Sequence, residues 1–238
     1  LETGGNAQTA ASFECSRPLR LIMTGPPAAG KGTQCAFLSS QYNLVHLSTG
    51  DMLRSEIRRE TPLGLKIKTQ MNQGSLVDDS LITELVHRRL QNDDCRSCGW
   101  ILDGFPRTMS QAAALEQLGH EPDCIVNIEV SQQETLSRIS QRRIDPITGK
   151  IYHLQHMPPP AATAASASGD GFSPQQMVQR SDDVPEIAVK RFQDYLLHIE
   201  AVREYYKRRL VHVDGTRDVN EVSEMLKEVV DGILGVHS

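Results

Sequence analysis

The chain reads as an α/β domain in which a parallel sheet is covered by helices on both faces. Three observations predict it. Short apolar runs of strand length alternate with longer amphipathic stretches over most of the chain, the first run ends in a glycine-rich turn that opens a helix, and 238 residues suffice for one large core carrying smaller inserts.

Residues 1–17 are small, polar and aperiodic and include no initiator Met, so they are expected to be a processed or trimmed arm without structure. The first strand is expected from Leu19 to Thr24, followed by a helix from about Gly30 to Gln41. A second strand, Leu44 to Leu47, leads to Ser48, whose hydroxyl suits the N-cap of a helix running to Arg59. Pro62 and Gly64 open a further helix that Gly74 ends. Helix Asp78 to Gln91, strand Gly99 to Asp103, helix Thr108 to Leu118, strand Asp123 to Val130 and helix Gln132 to Arg142 continue the alternation. It breaks between Gln141 and Asp183, where residues 158–174 are too poor in large apolar side chains for a core and read as a disordered spacer. The flanks of that excursion differ, with paired arginines and a Thr148-Gly149 turn signal suited to a small hairpin. Helix Pro185 to Arg208, strand Leu210 to Val213 and helix Asp218 to Leu234 complete the chain, and no internal repeat is visible.

A formal net charge of -5 argues against a general nucleic-acid or membrane-surface binder, which would carry a basic excess. No apolar run approaches the roughly 20 residues that cross a bilayer, and the basic-then-apolar layout of a secretion signal is missing from the first residues. The mature protein is therefore expected to be soluble. Cys15, Cys35, Cys95, Cys98 and Cys124 are odd in number and dispersed, which favours a reducing compartment over a disulfide framework. The Cys95-x-x-Cys98 pair lacks a second ligand pair and reads as two incidental thiols in a loop.

The strongest motif is Gly25-Pro-Pro-Ala28-Ala29-Gly30-Lys31-Gly32-Thr33, between the first strand and the first helix. Glycines at both ends let the backbone curl so that successive N–H groups face a phosphate, and the helix N-terminus adds partial positive charge. Lys31 is placed to reach β- and γ-phosphates, and the Thr33 hydroxyl lies where magnesium and the β-phosphate belong. Gly32 separates lysine from the hydroxyl residue, unlike most P-loops, and this GKGT form resembles nucleoside monophosphate kinases. Those kinases usually have glycine at the place of Ala28, so the loop's dihedrals are expected to suit an L-residue there.

Two further segments, His46-Leu-Ser-Thr-Gly-Asp-Met-Leu-Arg54 and Asp103-Gly-Phe-Pro-Arg-Thr-Met-Ser-Gln111, together with the loop closely resemble adenylate kinases, and the similarity runs from about Leu19 to Leu234. The resemblance implies a P-loop kinase with a five-stranded parallel sheet, formed by 18–47, 78–140 and 184–238, and carrying a mobile AMP-binding helical insert at 48–77 and a lid at 141–183. It implies reversible transfer, MgATP + AMP to MgADP + ADP. Ala28, Ala29, Gly30, Lys31, Gly32 and Thr33 are then expected at ATP, with Ile151 and Tyr152 against its nucleoside and Arg217 against its adenine. Thr49, Arg54 and the motif Gly104-Phe105-Pro106-Arg107 are expected at AMP, Ser75, Leu76 and Val77 around its base, and Gln111 at its adenine edge. Asp103, at the end of an apolar strand, suits the water shell of Mg²⁺. For Arg54 an ordinary solvated cation is the competing reading, since Arg58 and Arg59 follow on the same helix.

Arg142, Arg180 and Arg191 flank the excursion and match the family's lid arginines; with Lys31 and Arg107 they form the expected catalytic set. Guanidinium groups arriving on closure would favour the dispersed charge of a moving phosphoryl group and exclude water. ATP, AMP and Mg²⁺ leave roughly -4 to be neutralised in one cleft. Lys31, Arg54, Arg107, Arg142, Arg180 and Arg191 exceed that, so an acidic protein needs no basic surface. Asp182 and Asp183 are either helix-face partners of Arg180 and Arg191 or interlocking partners of the lid. Residues 141–183 hold no cysteine and only His153 and His156, so no structural zinc is expected there. The segment around Asp145 is most like plastid forms, which points to the chloroplast stroma, with cytosol or mitochondrion as alternatives, and Gln141 departs from the glycine common at that hinge. A monomer acting on ATP, AMP and ADP, without nucleic acid or membrane, is the expected state. Another acceptor, a GTP donor, or a weakly active nucleotide sensor are the competing functions.

Overall fold

A computed structural model describes residues 18–73, 75–146, 150–155, 157–159 and 177–236. The expected arm, the Thr148-Gly149 turn and most of 158–174 lie outside these residues. Five strands, β1 (Arg20–Thr24), β2 (Val45–Ser48), β3 (Trp100–Asp103), β4 (Cys124–Glu129) and β7 (Leu210–Asp214), form one parallel sheet in the order β2-β3-β1-β4-β7. The five-stranded parallel sheet that the sequence predicts is thus present.

Alternation along each strand divides the core in two. Ile22, Leu102 and Ile125 face one side with Trp100, and there pack against α4 (Asp79–Leu90), α6 (Met109–Gln117) and α8 (Pro185–Tyr205). Leu21, Met23, Ile101, Val126 and Ile128 face the other, under α1 (Lys31–Tyr42) and α9 (Val219–Leu234). Ile22, Met23, Ile101, Leu102 and Ile128 are fully buried, each worth about 2 kcal/mol relative to exposure. Strands covered on both faces read as near-continuous apolar runs, which is why they were legible.

β1 is central, with β3 on one side and β4 on the other. The connection from β1 runs past β3 to β2, whereas the one from β3 runs past β1 to β4, and the resulting crevice at the strand ends receives the loop after β1 and Asp103 at the end of β3. From β2 the chain enters α2 (Thr49–Arg58) and α3 (Pro62–Asn72). Ser48 caps α2 by accepting from Asp51 N–H, and Thr61 caps α3 by accepting from Gly64 N–H. A Cβ on Gly64 would stand 2.2 Å from the Glu56 carbonyl oxygen, so only glycine lets these helices approach so closely.

Two expectations need correction. Cys95 and Cys98 are not in a loop: α5 (Asp93–Cys98) carries both, with Cys95 buried. Six residues, mostly polar, are too few to show helical periodicity. α7 (Gln132–Gln141) ends one residue before Arg142, which turns extended and begins β5 (Arg142–Ile144). β5 pairs antiparallel with β6 (Ile151–His153), bringing Arg142 opposite His153, as the flanking arginine and turn signals suggest for a hairpin.

Candidate active site

The loop begins at Gly25, whose φ is 145° and where a Cβ would meet the Ile128 carbonyl oxygen at 2.5 Å. It ends at Gly30, φ 95°, which caps α1 without a side-chain acceptor. The first N–H groups of α1 therefore have no partner within the helix and face the loop mouth, the arrangement that receives anions. The Lys31 ammonium donates to the Gly25 and Pro26 carbonyls, at 2.9 and 2.6 Å. Burial pushes Lys31 down to about 8, and the nearby Arg107 and Arg191 charges add to this while Asp103 opposes it.

The expected L-compatible geometry at Ala28 is not found. Its φ is 54°, in the left-handed region that glycine enters freely. Alanine adopts this conformation at a cost of about 1 kcal/mol.

A cleft of about 610 Å³, including its open mouth, lies between α2, α3 and the sheet edge. Thr49, Arg54, Ser75, Leu76, Val77, Gly104, Phe105, Arg107, Gln111 and Arg191 all line it. Residues separated by more than a hundred positions in sequence are thereby brought to one place. Arg54 belongs to this wall rather than to a solvated face, and it holds Asp51 at 2.6 Å. Pro106 is buried behind it, joined to Phe105 by a cis peptide bond.

Thr49 is buried and its hydroxyl donates toward the Asp103 and Gly104 carbonyls, both at 3.1 Å. Gln111 is also buried: its Oε1 accepts from Arg107 N–H at 2.7 Å and its Nε2 donates to Asp79 at 2.6 Å. The Asp79 carboxylate also accepts from the hydroxyls of Thr108 and Ser110. Asp79 thus fixes the Gln111 amide, a role without sequence signal because Asp79 reads only as an acid in the first turn of α4.

Across the cleft the arginines are held by two carboxylates. Arg142 donates to both oxygens of Asp183, whose side chain is 0% exposed. Arg191 lies 2.9 Å from Asp182 and 3.6 Å from Asp183. The helix-face reading of this acid pair needs correction, since Arg180, Asp182 and Asp183 precede α8; Asp182 pairs from there with Arg191 of α8, and Asp183 with the hairpin cation Arg142. Burial pushes Asp182 up, but Arg191, Arg180 and Arg142 outweigh it and leave the carboxyl below its usual range. Arg180 is pushed down to about 10 by burial and by Arg142, and its buried Nε has no hydrogen-bond partner. Withdrawal from bulk water and the Arg191 charge bring Arg107, which opens onto the cleft, to about 10 as well. Desolvated arginines beside one another repel, and added negative charge would relieve that repulsion.

Ile151, Tyr152 and Arg217 are not walls of this cleft. Ile151 and Tyr152 lie on the hairpin, with Lys150 over the Tyr152 ring, and Arg217 lies exposed on the turn after β7, 3.8 Å from Asp214. Arg138 of α7 reaches the same turn and donates to the Gly215 carbonyl at 2.8 Å. Residues the sequence reading missed are Gly50, Leu53, Met71 and Ile82 in the cleft wall and Lys190, which donates to Gln73 O and Ser75 Oγ.

A glycine loop on a helix N-terminus at the sheet's switch point, facing converging cations, defines a P-loop phosphotransferase. The family model described as "Adenylate kinase" matches residues 23–211. The chain is 38% identical over 217 residues to the chloroplastic adenylate kinase of Zea mays, covering 91% of this chain and 94% of that protein. It is 40% identical over 219 residues to adenylate kinases of Methanocella arvoryzae (89% and 98%) and Caldicellulosiruptor saccharolyticus (90% and 99%). The chain belongs to the adenylate kinase family and is an ATP:AMP phosphotransferase.

Proposed function

We propose that ATP is held by the loop from Ala28 to Thr33 and AMP by the cleft between α2, α3 and Gly104–Gln111, with Arg142, Arg180 and Arg191 meeting the phosphates between them. The observation that carries this is the gathering of Thr49, Ser75, Val77, Arg107 and Gln111 around one cleft whose far wall is Arg191. Lys31 exchanges its loop carbonyls for phosphate oxygens, and Arg107 and Arg54 clamp the acceptor phosphate. Transfer then proceeds by alignment and electrostatic stabilisation, without a covalent enzyme intermediate.

Mg²⁺ is the proposed companion of ATP. Asp103 and the hydroxyl of the exposed Thr33 offer oxygen donors, and the Asp103 carboxylate lies beside the loop, since a Cβ on Gly32 would stand 3.7 Å from it. Such hard donors fit a hydrated Mg²⁺ better than a softer ion. When bound, it would neutralise charge on the phosphates.

Segments 48–77 and 141–183 are proposed to move as the AMP insert and the lid against a core of 18–47, 78–140 and 184–238. Ile151, Tyr152 and Arg217 would flank the ATP nucleoside once the lid closes. The protein is proposed to work as a monomer, and the chloroplast relatives from Zea mays and Oryza sativa favour a plastid location. A coupled assay offering AMP, CMP, UMP and GMP tests the acceptor: AMP should win by tenfold or more, and preference for a pyrimidine acceptor would overturn the proposed roles of Thr49 and Gln111.

A further inference from the structure

Beside the loop three side chains of different elements converge, one of them the carboxylate proposed above for Mg²⁺. Cys35 comes from α1, His46 from β2 and Asp103 from β3, and one ligand atom of each lies within 4.8 Å of the other two. Among the described residues this is the one group of three such side chains placed to hold a metal ion. His46 Nε2 is buried and has no hydrogen-bond partner, although it stands 3.5 Å from Asp103 Oδ2. A buried ring nitrogen left without a bond is costly.

We propose that Cys35, His46 and Asp103 form a binding site for a thiophilic divalent cation of the zinc type, and that its occupation inhibits phosphoryl transfer. One sulfur, one imidazole nitrogen and one carboxylate oxygen are the ligand types zinc takes, and three protein ligands leave a fourth position for water. His46 Nε2 and Asp103 Oδ2 already stand 3.5 Å apart, and tetrahedral coordination requires the ligand atoms to close by at most about 1 Å. Binding converts the Cys35 thiol to thiolate as the metal–sulfur bond forms, and the proton leaves to solvent.

The entry side gives the site its consequence. Cys35 is wholly buried, whereas the side chains of His46 and Asp103 are 25% and 13% exposed, so an ion arrives from the crevice that nucleotide also uses. Asp103 is the carboxylate proposed above to meet the hydrated Mg²⁺, and a softer ion bound to it withdraws it from that role. Metal binding itself is independent of that reading; only the inhibition rests on it.

Cobalt(II) serves as the spectroscopic probe. Added to the full chain without nucleotide, one equivalent of Co²⁺ should give a thiolate-to-metal band in the near ultraviolet with visible bands of a tetrahedral ion. The bands should vanish in Cys35→Ala and in His46→Gln and persist in Cys95→Ser/Cys98→Ser. Buffered free Zn²⁺ should inhibit competitively with MgATP, with a midpoint raised at least tenfold in His46→Gln. The His46 side chain, one quarter exposed, keeps the test valid should Cys35→Ala fail to fold. Absence of the thiolate band, its survival in His46→Gln, or its loss in the Cys95/Cys98 variant would overturn the site. A normal band with Zn²⁺ inhibition unchanged in His46→Gln would overturn the inhibition and leave the proposed role of Asp103 to be tested separately.

Discussion

The loop from Gly25 to Thr33 and the arginine group across the cleft are both proposed to meet phosphate, yet they are built in opposite ways. The loop is contiguous and presents backbone N–H groups fixed by φ angles and by α1, with Lys31 as its one charge. The arginines come from β5, from the segment before α8 and from α8 itself, and Asp182 and Asp183 already engage two of them. A backbone cradle is ready in advance and has nothing to release except the two carbonyl bonds of Lys31. The arginines must trade a buried carboxylate for a phosphate, so their contribution grows with the charge that arrives. The loop is suited to affinity, and the arginines to favouring the most highly charged stage of the reaction.

Removing the loop's only charge should produce the largest effect. Lys31→Met is expected to lower kcat/KM on the order of 10³-fold, with the fold intact by circular dichroism. A loss below tenfold would mean that backbone donors suffice without it.

Asp183→Asn probes the other region. It keeps the side-chain volume but removes the charge partner of Arg142 from a site with no solvent exposure. Folding stability should fall by about 3 kcal/mol, and kcat by roughly tenfold to a hundredfold through lost arginine placement. ATP affinity measured by calorimetry should change little. An equal fall in ATP affinity and kcat would break the division between the two regions.

Asp79→Asn should act on the acceptor alone. Asparagine sets an amide NH₂ against donors that now share a carboxylate, so the Gln111 amide loses its fixed orientation. The KM for AMP is expected to rise about tenfold, equivalent to roughly 1.4 kcal/mol, with the KM for ATP unchanged. Acidity gives a smaller effect with a definite sign. Free Lys31 titrates at about 8, and phosphate requires its charged form, so ATP affinity should weaken as pH rises from 7 to 9. Lys31→Met should flatten that dependence.

What the sequence displayed follows the same division. The loop, the strands and Asp103 were legible because backbone geometry leaves glycine spacing and apolar runs behind. Arg142 and Arg191 were identified only through resemblance to a family, since nothing local in the sequence says that residues 142, 183 and 191 meet. Asp79 and Lys190 stayed hidden for that reason: a hydrogen bond from α8 to Ser75, or from Gln111 back to α4, depends on helix packing that no short window contains. The helix α5 was lost for want of length, and Arg142 was placed in α7 because helix ends are poorly marked when no glycine follows.

Ala28 offers the finest test of the idea that the loop is held by backbone conformation. Its φ of 54° puts the Cβ in the left-handed region, and glycine at this position would adopt the same angle without that penalty. Relief of strain in the folded state favours Ala28→Gly by about 1 kcal/mol, while the added freedom of the unfolded chain opposes it by a few tenths up to about 1 kcal/mol. The net change in stability by urea unfolding should therefore be small and stabilising, below about 1 kcal/mol, and kcat/KM should stay within about twofold because the donors keep their places. Destabilisation by more than 1 kcal/mol would mean that the alanine methyl supplies packing that outweighs the strain. A drop in kcat/KM beyond tenfold would mean that the methyl group holds the loop in shape, and the cradle would then depend on a side chain after all.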